Sequence, residues 1–90
     1  LQEIFYFKSD RKKVTAVTRT KEEAFYARLS DIEAELPRGF IRIHNRYLVN
    51  LRHVDRIGNT FCLCGGEKLP VSRACRQDLA VAFARKILNT

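Results

Sequence analysis

Apolar and polar positions alternate in short runs along most of the chain, which is the signature of half-buried strands. Ile4, Phe5, Tyr6 and Phe7 lie in the run from Glu3 to Phe7, and Val14-Thr15-Ala16-Val17-Thr18 forms a second run. Between them stands Ser9-Asp10-Arg11-Lys12-Lys13, so the two runs predict a hairpin with its tip at Lys8 to Lys13. A third strand is expected from Glu22 to Arg28, although Lys21-Glu22-Glu23-Ala24 also favours helix. The period then changes. Leu29, Ile32 and Leu36 share one helical face, and Ser30 followed by Glu33 has the spacing of a capping box. Leu36-Pro37-Arg38-Gly39 is expected to stop that helix. Three acids, Asp31, Glu33 and Glu35, crowd it, so it should face away from any nucleic acid.

The next stretch organises the rest. Phe40, Ile41 and Ile43 are apolar with Arg42 outward, and His44-Asn45-Arg46-Tyr47 is a polar crest of four hydrogen-bonding side chains. Leu48-Val49 returns to apolar and Asn50 closes the stretch. Leu51 to Ile57 reads as a turn of 3₁₀ helix passing into a strand, Thr60 to Cys64 as a strand, Gly65-Gly66 as a turn and Lys68 to Val71 as the last strand. Pro70 confines that strand to an edge or an end. Ser72 is a candidate N-cap for a helix in which Cys75, Leu79, Ala82, Phe83 and Ile87 recur at helical spacing. The expected architecture is mainly β, built from small antiparallel sheets with a short helix at about 30–36 and a C-terminal helix at about 74–88.

Ninety residues make one domain, taken as 1–90, with a small core. The chain opens on Leu1 with neither an initiator methionine nor a signal-peptide pattern, which suggests a fragment of a longer cytoplasmic protein. Seventeen Lys and Arg against ten Asp and Glu give a net charge of +7, a field that favours a polyanionic partner. Cys62 and Cys64 sit two apart on one strand face and read as buried small hydrophobes, as does Cys75.

Chemistry narrows the choice further. Neither His44 nor His53 accompanies a Ser or Cys set as an activated nucleophile, and no Gly-rich loop opens a helix. The clustered carboxylates, one or two residues apart, point away from each other. His44, His53, Cys62 and Cys64 match no zinc-finger spacing. No catalytic residue, metal or cofactor is therefore expected. The crest instead holds groups that read bases: Asn pairs bidentately with adenine, Arg with guanine, and His donates to N7 or O6. Arg73 lies at the junction of the last strand and last helix, and Lys12 and Lys13 form a third basic loop. No helix-turn-helix pair is present. Strand aromatics keep a basic RNA-binding module, or a protein adaptor, as the alternative.

Leu29-Ser30-x-x-Glu33-x-x-Leu36-Pro37, Phe40-Ile41-Arg42-Ile43-His44-x-x-Tyr47-Leu48-Val49-Asn50 and Leu69-Pro70-Val71-Ser72-Arg73 together resemble the LytTR family of bacterial DNA-binding domains. The resemblance implies an elongated, mainly β fold that inserts loops into successive major grooves. It also implies a transcription factor, most often a response regulator of a two-component system, whose receiver domain would precede Leu1 and drive dimerisation on promoter direct repeats. Carried over by position, it places DNA contacts near Lys12 and Lys13, at His44-Asn45 and at Arg73; of these, His44, Asn45 and Arg73 are expected to read bases and Lys12 and Lys13 to hold phosphates. It assigns Asn50 to a structural turn. The family often has a basic residue and then a small Ser after this His, where this chain has Asn45 and Arg46. The longer Arg46 is expected to reach a phosphate, with a base or a neighbouring acid as the other possible partners.

Overall fold

The structure, a computed structural model, describes residues 3–36 and 39–88. The alternating runs of the first half fold into a five-stranded antiparallel sheet. Its strands are β1 (Ile4–Asp10), β2 (Lys13–Thr18), β3 (Glu22–Tyr26), β4 (Phe40–His44) and β5 (Tyr47–Asn50), in the order β3-β2-β1-β5-β4. A second antiparallel sheet of three strands follows: β6 (Val54–Ile57), β7 (Phe61–Cys64) and β8 (Glu67–Pro70). Two helices, α1 (Leu29–Glu35) and α2 (Arg73–Leu88), complete the fold. The mainly β architecture with a short and a C-terminal helix is as the sequence predicts, and Pro70 does end an edge strand.

The large sheet is covered on both faces. Successive strand residues point to opposite sides, so Tyr6 and Val49 face the small sheet and α2, while Phe7 and Leu48 face α1. The first core gathers Tyr6, Ile43, Val49, Val54, Cys62, Cys64 and Leu79; the second gathers Phe7, Val14, Leu29 and Leu48. Each fully buried aliphatic side chain of this kind contributes about 1.5–3 kcal/mol of transfer free energy. Cys62 and Cys64 are fully buried together, and burial pushes their thiols up to about 11 and about 12. The Cys64 thiol also donates to the Phe5 carbonyl at 3.2 Å.

Polar seams join the parts. The Asn50 side chain is buried. Its amide donates to the Ile4 carbonyl at 2.9 Å, and its oxygen accepts the Arg52 amide at 3.0 Å, capping a 3₁₀ turn at Leu51–His53. The structural turn assigned to Asn50 is therefore present. At the β7–β8 turn both Gly65 and Gly66 have positive φ, as a two-residue hairpin turn requires, and a Cβ on Gly65 would collide with the Phe5 ring.

Several boundaries move. The capping box fails: α1 begins at Leu29, Arg28 holds the cap position in extended conformation, and no side chain caps the helix. Burial of Leu29 against the sheet sets the start of the helix and displaces Ser30 into its exposed first turn. The expected stop at Pro37-Arg38 lies outside the described residues. The third strand ends at Tyr26, not Arg28. At the other end, Ser72 does cap α2, its hydroxyl accepting the Cys75 amide at 3.3 Å. The inner face of α2, however, ends on Lys86, whose ammonium donates to the carbonyls of Val54 at 2.9 Å and Arg52 at 3.3 Å. Ile87 is consequently exposed.

Candidate nucleic-acid interface

Strand register decides where the basic side chains go. In the first hairpin Asp10 pairs with Lys13, so the polar run does not form one wide loop. Lys8, Ser9 and Asp10 continue β1, and the tip is only Arg11-Lys12, with Arg11 held at φ 59. Lys13 belongs to β2 and lies beside the tip, its ammonium 5.4 Å from the centroid of the Tyr26 ring. The crest shortens in the same way. His44 pairs with Tyr47 as the last residue of β4, and Asn45-Arg46 alone make the turn.

Both tips protrude from the same end of the large sheet. Lys8 pairs with Tyr47, and the Ser9 amide donates to the Arg46 carbonyl at 2.8 Å. The start of α2 is fastened to this end too: the Ser72 amide donates to the Ile43 carbonyl at 2.8 Å, one residue before His44. Arg73 follows directly. The sequence-marked residues Lys12, Lys13, His44, Asn45, Arg46 and Arg73 are thus brought to one end of the sheet. Three strand spacings of about 4.8 Å, from β2 to β4, give this row a width of roughly 14 Å.

Local hydrogen bonds shape the crest. His44 Nδ1 accepts the Arg46 amide at 3.2 Å, which assigns the ring proton to Nε2 and leaves that nitrogen as a donor. The ring stands edge-on to Tyr47 at 5.9 Å. Arg42 is not outward as the alternation predicts. Its guanidinium donates to the Asn45 carbonyl at 3.1 Å and to Glu33 of α1 at 3.0 Å, bracing the turn from behind. Its pairing with Glu33 ties an acid of α1 to the sheet, a role visible only once α1 is laid on β4.

The charge balance at this end is one-sided. Glu3, Glu22, Glu23 and Glu33 are held in ion pairs with Arg52, Lys8, Lys21 and Arg42 respectively, and Glu3 also lies 3.0 Å from His53 Nε2. Among the described residues, the Arg11, Lys12, Arg46 and Arg73 side chains meet no acid, and all four are exposed. Arg46 therefore does not turn back to an acid there. Asp10 is the one carboxylate on the strand ends that carry the two tips.

Other chemistries find less. Among the described residues no group of three or more His, Cys, Asp or Glu is placed to hold a metal ion, and no helix is long and apolar enough to cross a membrane. Tyr6 and Phe7 are buried, so the aromatic platform that single-stranded RNA would need is not displayed by β1.

The family described as the LytTr DNA-binding domain matches residues 1–84. Among solved structures, the chain is similar to the LytTr DNA-binding domain of a methyl-accepting/DNA response regulator from Bacillus cereus. That match has a TM-score of 0.68 and 29% identity, and covers 97% of this chain and 82% of that one. No curated protein sequence matches the chain.

Proposed function

The chain belongs to the LytTR family of DNA-binding domains, and from that premise we propose that it reads specific double-stranded DNA through the basic end of its large sheet. The observation that carries this reading is the convergence of two hairpin tips and the start of α2 at that end, with unpaired cations around a His-Asn pair. A two-residue turn on a two-stranded ribbon is narrow enough for a major groove about 12 Å wide. His44 donates from Nε2 to a purine N7 or O6. Asn45 offers the donor and acceptor that adenine matches, and Arg73 pairs with guanine. Lys12, Lys13 and Arg46 hold backbone phosphates, fixing register without reading sequence.

In this role the domain is the output module of a bacterial transcriptional regulator. It acts in the cytoplasm on promoter direct repeats, brought together as a dimer by a receiver domain. Selection from random double-stranded DNA, followed by salt titration on the enriched sequence, tests the reading. A motif repeated at fixed spacing supports it; enrichment of no duplex motif, or tighter binding to single strands, overturns it. Lys12→Ala should weaken binding to all sequences alike and lower the salt slope by about one counterion.

A further inference from the structure

One part of the basic end belongs to none of the three loops. Tyr26, the last residue of β3, pairs with Lys13 in register and is 78% exposed. The next amide, of Ala27, donates to the Lys12 carbonyl at 3.1 Å, so the chain leaves β3 alongside the first hairpin tip. Arg28 follows, exposed, and its side chain meets no acid among the described residues. The Lys13 ammonium lies over the Tyr26 ring. This corner therefore sets an ammonium over a phenol ring on the sheet edge farthest from β4, with an exposed guanidinium-bearing residue two positions along the chain.

We propose that the corner formed by Tyr26 and Arg28, with Lys13 over the ring, is a fourth DNA-contact element, taking backbone phosphate just outside the bases read by the other loops. It rests on the DNA-reading function proposed above. The chemistry suits a phosphodiester: Arg28 offers a fork of N–H donors, and the Tyr26 hydroxyl adds another donor. The ring face keeps the Lys13 ammonium at the edge by cation–π attraction. The position suits one too. The β3 edge lies one strand spacing, about 5 Å, beyond β2, and charges on one DNA strand recur about every 3.4 Å of axis. The corner thus extends the footprint by one or two phosphates on one side. It contributes affinity and register but no base preference, because nothing on it reaches past the backbone.

Phosphate-ethylation interference and salt titration on the selected duplex, with wild type, Arg28→Ala and Tyr26→Ala, test this. Both side chains are exposed, and thermal melting checks that the variants fold. For the wild type, ethylation at one or two phosphates flanking the motif should inhibit binding. Arg28→Ala should abolish that interference, lower the salt slope by about one and weaken binding about three- to tenfold at low salt, with base preferences unchanged. Tyr26→Ala should weaken the same flanking interference. If the wild type selects its motif while both variants keep wild-type affinity, slope and interference pattern, the corner is only a solvated edge and the inference fails alone. If the wild type selects no duplex motif, the DNA-reading function fails and the corner with it.

Discussion

Arg11 sits at φ 59, a left-handed conformation that costs a side-chain-bearing residue about 1–2 kcal/mol, where glycine would be at ease. The strain is placed at the exposed tip of the first hairpin, where a long cation is useful to a polyanion and a glycine is not. Arg11→Gly should therefore stabilise the fold by about 0.5–1 kcal/mol, after glycine's own entropy cost, and raise Tm by a few degrees. It should also weaken binding to all DNA sequences and lower the salt slope by about one. A melting curve and a salt titration check both halves. His44 shows the same economy of means: its contact with the Arg46 amide fixes which ring nitrogen is left to donate. Asn50 shows the opposite case, a buried polar residue three positions past the crest whose side chain bonds the Ile4 carbonyl and the Arg52 amide inside the protein.

The β4–β5 turn carries His44 and Asn45, the residues proposed to contact bases, and it is held from behind. Arg42 bonds the Asn45 carbonyl and pairs with Glu33, joining the turn to α1. Removing it in Arg42→Ala should cost about 0.5–1 kcal/mol of stability, as expected for a partly exposed pair. Binding to the selected site should weaken severalfold while the salt slope stays unchanged, because Arg42 touches no phosphate; a slope reduced by one would make it a direct contact instead. The sequence alone announces this turn through its polar crest between apolar anchors, and the Ser72 cap and the edge strand with Pro70 through their residue types. It does not announce Arg42's role, because alternation within β4 says nothing about a helix laid across it. The wide hairpin tip and the Ser30 capping box mislead for one reason. Local polarity and capping are worth about 1 kcal/mol each, and cross-strand pairing or burial of Leu29 outweighs them. The corner at Tyr26 and Arg28, proposed above as a contact, is legible only from register.

For the whole molecule, burial in two cores separated by the large sheet has a consequence for pH. Burial pushes Cys62 up to about 11 and Cys64 up to about 12 from an ordinary 9.0, and it raises Tyr6 to about 12 from 10.0. The unfolded chain thus releases these protons before the folded one does. Their contribution is fully present below pH 9 and is lost as pH rises toward 12, so the unfolding midpoint in urea should fall steadily above about pH 9. Cys62→Ala should flatten that fall. Whether the basic end reads sequence or merely attracts polyanions is tested most directly at Arg73. The measurement compares wild type and Arg73→Ala on the selected duplex, on each single-base variant of it and on random duplex at one salt concentration. A loss of about 1–3 kcal/mol on the selected site, with preference relaxed at one base position and little change on random DNA, is the predicted result. An equal loss on selected and random DNA would contradict it.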